Sequence, residues 1–566
     1  MHREVKCGNT VRVRELLRDG AELNVTDRAG CTPLMYALES PAAPVELVQL
    51  LLERGGAIAE TDRFEGTINI TSVCLRGGDP LKLDLVLERG ADIHYTRSAG
   101  YDALMDAAFS RNADHDPRLL GVLKILIARG ASLNGVGSYQ ESALRVLSRL
   151  GRFDAVKLLL AAGADENQLA WTPLHRAVAL GTLVDVKALV GDGEYLESVD
   201  WWERTPWLVA IKTGDLEKAR YLFECGADFT VAGKGGVSPL DLAIESFHTP
   251  MLKWLIALGI SVESSADCCI SPLMNAVQAD NAEAVDVLIA AGAHVDRQTA
   301  CGSALGCVHS REIGLRLLDA GADPAHLSFA GRRAILGLEP QPDELLFDAT
   351  PEDFRIAPSA RWGDHNPELM NQPFWQAMIR SGITAYSGAQ LVGGTRDDCP
   401  VWCAQRFGQS LTLLPDGRAI QIGGEHEDSY DSDFCIYNDV FVHHPDGRID
   451  IFCYPEDVFP PTDFHTATLI GDSIYILGGL GYKGSRSFGE TPVFFLDIHT
   501  LQIRRVKTSG GAPGWISRHR AVLVSPHEIR VWGGKIAAEV GETETYDDNH
   551  RASVFDVTRR QWRREA

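Results

Sequence analysis

Apolar residues in the first part of the chain fall at helical spacing, and the pattern stops at a glycine ten times. The stripes read LLRDG to Gly20, LLERGG to Gly56, VLERG to Gly90, LIARG to Gly130 and LLAAG to Gly163. They continue as LVGDG to Gly193, LFECG to Gly226, LIALG to Gly259, LIAAG to Gly292 and LLDAG to Gly321. Successive glycines stand 36, 34, 40, 33, 30, 33, 33, 33 and 29 residues apart. A second signal lies between them: CTPLMYAL at Leu34, YDALMDAA at Leu104, WTPLHRAV at Leu174, RTPWLVAI at Trp207, VSPLDLAI at Leu240 and ISPLMNAV at Leu273. Thr or Ser before Pro caps and starts a helix, and Gly ends one. Each unit therefore predicts a capped short helix, a second helix, a glycine stop and an extended finger.

This grammar resembles the ankyrin repeat over residues 1 to about 338, most closely at Asp27-Arg28-Ala29-Gly30-Cys31-Thr32-Pro33-Leu34. The second unit departs from it, because Gly66-Thr67-Ile68-Asn69-Ile70 lacks the proline and predicts a weaker helix start. The 40-residue step holds a polar insertion, Arg111 to Pro117, between the two helices of one unit. The first unit, Val5 to Gly20, has a short first helix. At the ankyrin histidine position stands His175, where the resemblance implies a structural hydrogen bond.

Residues 339–375 carry Pro340, Pro342, Pro351, Pro358, Pro367 and Pro373, and read as a linker with local turns. A different period follows over 376–566. Strand-like runs end in paired glycines at Gly423-Gly424, Gly478-Gly479 and Gly533-Gly534, 55 residues apart each time. A strand precedes each run (QSLTLL, HTATLI, HRAVLV), and another follows the loop after it (YNDVFVHH, PVFFLDI, ASVFDV). Four short strands per period is a propeller blade. The diglycine, the strand before it and a closing Trp562 resemble the kelch repeat. Three blades are fewer than closed propellers have. Ile383 to Gly394 reads as a decayed fourth strand pair, and either a partial propeller or pairing of two chains through open edges satisfies the pattern. The expected fold is thus multidomain α+β: an all-α ankyrin solenoid of about ten repeats (1–338), a Pro-rich linker (339–375), and an all-β, kelch-like partial or small β-propeller (376–566).

Composition narrows the partners. The formal charge is −23, which repels phosphate backbones and anionic lipid, so nucleic acid and membrane surfaces are not expected. Twelve cysteines without repeating pair spacing argue for reduced thiols. No run approaches 18 apolar residues, and Met1-His2-Arg3-Glu4 opens no signal core. A cytoplasmic protein is expected.

Catalytic motifs are scarce. Gly479-Leu480-Gly481-Tyr482-Lys483-Gly484 matches Gly-x-Gly-x-x-Gly, but a dinucleotide site needs a helix next and this stretch runs into loop and strand. The acidic loop Glu425 to Asp433 lacks EF-hand spacing. Cys399 and Cys403 have no second pair to complete a zinc site, and vicinal Cys268-Cys269 reads as finger residues. No catalytic residue, cofactor or metal is assigned.

Two residue groups stand out. Phe64, Tyr139 and the pair Trp201-Trp202 fall at finger tips, where aromatic rings serve either as core under the next finger or as a partner-binding hot spot. Truncating the tryptophan pair is expected to leave folding near parental, whereas Trp207 takes the buried leucine position. Glu203 takes the usual glycine position, which predicts a turn of different shape. Gln409, His465 and His519 stand at equivalent blade positions and are candidates for lining the propeller's central face. The reading is a non-enzymatic scaffold or adaptor that binds another protein through fingers and concave face, with kelch loops as a second surface. The alternatives are a kelch-propeller enzyme (oxidase- or hydrolase-like, with His465, His519 and Tyr430 as its thin ligand set) carrying an ankyrin targeting module, and an effector- or immunity-type specific binder.

Overall fold

The computed structural model describes residues 1–565 except 28–29, 59–60, 64–65, 192–194, 264–269, 395–399, 428–433 and 541–542. Two compact units divide the chain: residues 1–294 with 299–301, and residues 295–298 with 302–566.

The first unit is built of helix pairs, such as Pro33–Glu39 with Val45–Glu53, Pro173–Leu180 with Leu183–Val190, and Pro206–Thr213 with Leu216–Glu224. The caps are where the sequence puts them. Thr32, Thr172, Thr205, Ser238 and Ser271 each accept a hydrogen bond from the backbone N–H three residues on. The unit without proline is not left uncapped, because the Asn69 side chain accepts from the N–H groups of Thr71 and Ser72. Asn is among the best N-cap residues, so the expected weakness is compensated. The second glycine stop is Gly55, at φ +94°, rather than Gly56. A Cβ on Gly56 would meet the Leu51 carbonyl at 2.9 Å, which gives both glycines a reason to be there.

A device the sequence did not advertise ties neighbouring units. Lys82, at the start of its helix, donates to the carbonyls of Ala37 and Ser40 at the end of a helix in the preceding unit (2.8 Å each). Lys218 does the same to Val178 and Gly181 (3.0 and 2.9 Å), and Asn281 to Ile244 (2.9 Å). In the polar insertion, Arg152 reaches the carbonyls of Ala113 and Asp116 (2.6 and 2.9 Å). Helix ends leave carbonyls without intrahelical partners, and these side chains satisfy them across the stack.

Trp207 is 0% exposed within Pro206–Thr213. Trp207→Ala is expected to cost about 3–5 kcal/mol through the cavity it opens. A urea midpoint for the helical unit within experimental error of parental would show that the site collapses around the loss.

The second unit opens with helices Arg311–Asp319 and Phe329–Ile335. The segment read as a linker contains helix Pro351–Ile356 and the start of Pro373–Ser381. It contributes Ala357, Met370, Phe374 and Trp375 to a buried cluster with Trp402. Trp375 stacks on Trp402 at 5.0 Å. Ile383 to Gly394 is not a strand pair: Ala385–Leu391 is a helix, capped by Thr384 accepting from Ser387 N–H at 3.1 Å. Its buried residues, Ala385, Gly388 and Ala389, lie three and four apart, a helical spacing that short apolar runs disguise. The C-terminal region is therefore strand-rich rather than all-β.

Three of its sheets, antiparallel in their main strands, are in register with the 55-residue period, and a separate antiparallel sheet joins Trp515–Ser517, Lys535–Val540 and Thr543–Asp548. The first runs Ser410–Leu413, Ala419–Ile422, Val440–His443 and Ile449–Cys453, with Glu368–Leu369 added at the edge. Thr466–Ile470, Ser473–Leu477, Val493–Asp497 and Ile503–Arg505 make the second. The third runs Arg520–Ser525, Glu528–Trp532, Ser553–Asp556 and Gln561–Arg564, and Ser509–Gly510 pairs with its last strand in parallel. The diglycines join one sheet to the incoming chain of the next. Gly424 N–H donates to Thr462 O (2.8 Å) and Gly479 N–H to Ile516 O (2.9 Å). A Cβ on Gly478, at φ +67°, would fall 2.4 Å from Ile516 O and 2.7 Å from the His519 ring, so no side chain fits there.

Candidate functional site

The first strands of the three sheets and the helical start of the second unit enclose a cavity of about 600 Å³. Gln409, His465 and His519, which the sequence places at equivalent blade positions, all line it. The residue after each of them makes the next link around the wall. Ser410 Oγ lies 2.9 Å from His465 Nε2, and Thr466 Oγ1 lies 2.9 Å from His519 Nε2. Arg520 carries the series to the helical segment, where its Nη2 lies 3.2 Å from His326 Nε2 and its Nε lies 3.1 Å from Asp323 Oδ2. Arg332, on helix Phe329–Ile335, completes the circuit by donating to Gln409 O at 2.5 Å. The 55-residue period thus supplies three positions of a ring, and residues 323–332 supply the rest.

Burial governs the charge state of this wall. It pushes His519 down to about 4, and it pushes His465 down to about 3 with help from the charges of His519 and Arg332. Both imidazoles are therefore neutral at ordinary pH. A third buried imidazole, His443, is pushed down to about 4, mainly by burial. His443 sits behind the wall, bonded to Gln421 Oε1 at 2.8 Å, while Gln421 Nε2 donates to Gln409 Oε1 at 2.8 Å. Burial also lowers the Arg332 guanidinium to about 10.

The finger residues lie in the first unit. Trp201 and Trp202 are both part-buried. Trp202 Nε1 donates to Arg145 O at 2.8 Å, and the Arg145 guanidinium lies 3.5 Å from the Trp201 ring. Lys234 from the next finger lies over both rings, at 5.2 and 5.8 Å. Glu203 adopts φ +55°, the left-handed conformation of Gly30, Gly100 and Gly236 at the matching turns, but Trp202 before it lacks the positive φ of Ala99 and Gly235, so this turn differs in shape from those at Gly100 and Gly236. Buried Asp200 holds it by accepting from the N–H groups of Trp202 and Arg204 at 2.8 and 2.9 Å. Tyr139, two fingers earlier, is 75% exposed. His175 bonds Arg204 O through Nε2 at 2.9 Å and Thr172 Oγ1 through Nδ1 at 2.8 Å, a structural role.

Phe64, Tyr430, Cys399, Cys268 and Cys269 lie outside the described residues, as does most of the acidic loop. Cys403 is buried. The Gly-x-Gly-x-x-Gly stretch leads into a single 3₁₀ turn, Lys483–Ser485, and then a strand. Among the described residues no group of three or more His, Cys, Asp or Glu side chains is placed to hold a metal ion. No described helix is long and apolar enough to cross a membrane.

The family described as "Ankyrin repeats (3 copies)" matches residues 154–233 and 174–266. The chain is similar to "Ankyrin repeat, SAM and basic leucine zipper domain-containing protein 1" of Oryctolagus cuniculus, with 44% identity over 88 residues, 15% of this chain and 18% of that protein. Its Rhinolophus ferrumequinum counterpart is 42% identical over 88 residues, again 15% and 18% of the two chains. The Dasypus novemcinctus counterpart is 38% identical over 127 residues, 22% and 25% of the two chains. These matches span between 18% and 25% of the relatives' own length. Residues 154–266 of the helical unit thus match ankyrin repeats, modules that generally bind other proteins.

Proposed function

We propose that this protein is a non-enzymatic scaffold that binds a partner protein through its ankyrin fingers and concave face, with the strand-rich unit as a second surface. The observation that carries this reading is the run of capped repeats, together with a large exposed aromatic ring, Tyr139, at a finger tip. Exposed aromatic rings are the side chains from which binding hot spots are most often made. Trp201 and Trp202 belong to the same surface in this reading, presenting their uncovered edges beside Lys234.

The strand-rich unit is read as kelch-like, a partial propeller of three blades. Three sheets at a 55-residue period, each with a diglycine after its second strand and Trp562 closing the last, support that reading. A reducing, cytoplasmic setting goes with it, supported by free Cys7 and Cys225 on the surface.

Affinity capture from native lysate, compared between parent and variants, tests the surface. Tyr139→Ala should leave folding within about 0.5 kcal/mol while weakening capture by about 2 kcal/mol. Trp202→Ala should cost about 1 kcal/mol of stability through the hydrogen bond to Arg145 O, and should weaken the same capture. A partner held equally by the parent and by both variants would move the binding face away from these fingers.

A further inference from the structure

The cavity wall carries five arginines, and four of them are accounted for. Arg406 pairs with Asp439, and Arg520 with Asp323. Arg333 donates to the carbonyls of Glu339, Ile379 and Arg380 at 2.6, 2.6 and 2.7 Å. Exposed Arg518 stacks over Phe464 at 3.4 Å. Arg332 is different. Its one protein acceptor is Gln409 O, and no carboxylate pairs with it among the described residues. Arg332 is part-buried at the cavity wall, and a guanidinium so placed favours a carboxylate or phosphate for its remaining N–H groups.

Three neutral groups on the same wall are also incomplete. Gln409 Nε2, His465 Nδ1 and His519 Nδ1 are buried without a hydrogen-bond partner, on residues that are 6%, 6% and 5% exposed. The far end of each is already fixed: Gln421 donates to Gln409 Oε1, and Ser410 and Thr466 engage the histidine Nε2 atoms. The free end of Gln409 is therefore a donor. With the two hydroxyls donating to Nε2, the histidines also present N–H from Nδ1. Buried polar groups are rarely left unsatisfied, and several around one cavity share a common explanation. The one acidic lining residue among the described residues, Asp323, is held by Arg520.

We propose that this cavity binds a small organic anion, a carboxylate or a phosphate ester, with Arg332 as its counter-ion and Gln409, His465 and His519 as neutral donors. The volume is that of a metabolite pocket rather than a bare ion site, and Phe329, Phe441 and Phe464 give the organic part an apolar wall. This site is independent of the scaffold reading and stands or falls without it.

The test uses the full-length chain with sodium phosphate and sodium acetate as probes, against sodium chloride at matched ionic strength. Hydrogen exchange of peptides from residues 405–525 reports the strand-rich unit. Millimolar phosphate, acetate or both should slow that exchange in the parent, and the anion that acts identifies the headgroup. Arg332→Met should abolish the response. In chloride, the same variant should be as stable as the parent or more so, because an uncompensated cation has been removed. Were Arg332→Met not to fold, Gln409→Met takes its place, with anion affinity expected to fall by about tenfold. A parent that ignores both anions would overturn the proposal. So would an Arg332→Met protein that keeps the response, or one that folds but is less stable in chloride, since Arg332 would then be a structural residue.

Discussion

Asp439→Ala is expected to destabilise the strand-rich unit by about 3–5 kcal/mol, the cost of leaving a buried charge without its partner. The Arg406 side chain is 0% exposed and that of Asp439 4%. The two meet through both guanidinium nitrogens, Nη1 to Oδ1 and Nη2 to Oδ2. Arg406 Nε also donates to Cys403 O at 2.8 Å, and Trp402 Nε1 donates to Asp439 Oδ2 at 3.2 Å. Around the guanidinium lie Tyr437, Phe441 and Trp402, with ring centroids at 3.5, 4.8 and 5.0 Å. Aromatic faces attract a cation but do not replace a carboxylate in a dry site. The double change Arg406→Met with Asp439→Val should recover most of the loss, because apolar residues of similar volume tolerate that environment. Urea midpoints followed by the fluorescence of Trp375 and Trp402 decide it. A single variant costing less than about 1 kcal/mol would mean that water reaches the pair.

Acid is expected to loosen the same unit before any carboxylate titrates in the ordinary range. His443, His465 and His519 are held at about 4, 3 and 4 in the folded chain, against 6.5 when free. A depressed folded value means the unfolded chain takes up the proton first. Stability is then full above pH 6.5 and drains away as pH falls toward 4. Each unit of displacement is worth about 1.4 kcal/mol, so three imidazoles together amount to several kcal/mol. Glu425 works in the opposite direction: burial, with Asp463 beside it, pushes it up to about 7. Its contribution grows as pH falls below 7, and it offsets part of the histidine effect without cancelling it. Hydrogen exchange at pH 6.5 and pH 4.5, corrected for intrinsic rates, should show residues 405–525 opening more at the lower pH. Equal protection at both pH values would place these imidazoles within reach of water.

Much of this was legible in the chain. Thr-Pro signals and glycine stops repeat often enough that one irregular copy, Gly55 for Gly56, does not disturb the period. Gln409, His465 and His519 could be grouped because steps of 56 and 54 residues, close to the 55-residue period, put each immediately before the first strand of its sheet. Arg332 and His326 could not be found that way. They come from the helical segment, 77 residues before Gln409 and 194 before Arg520, where no period links them. The helix Ala385–Leu391 is not legible in the sequence, because Ala, Gly and Ser pack without announcing a period. Trp201 and Trp202 were legible as finger residues, but their attachment to Arg145 was not, since it spans 57 residues in sequence.

The cations that cross from one repeat to the next give the stack a direction. Lys82 needs the carbonyls of Ala37 and Ser40, and Lys218 needs those of Val178 and Gly181, but the dependence is not mutual. Strip away the later repeat and two carbonyls are left, which water can reach at a newly bared end. Strip away the earlier one and the Lys82 ammonium, built for burial, loses its acceptors, while Lys218 is left with Asp215 alone at 3.2 Å, and each must drag solvent in. Truncations entering from the N-terminal side should therefore be the more damaging, and a repeat transplanted into another array would have to bring its predecessor with it.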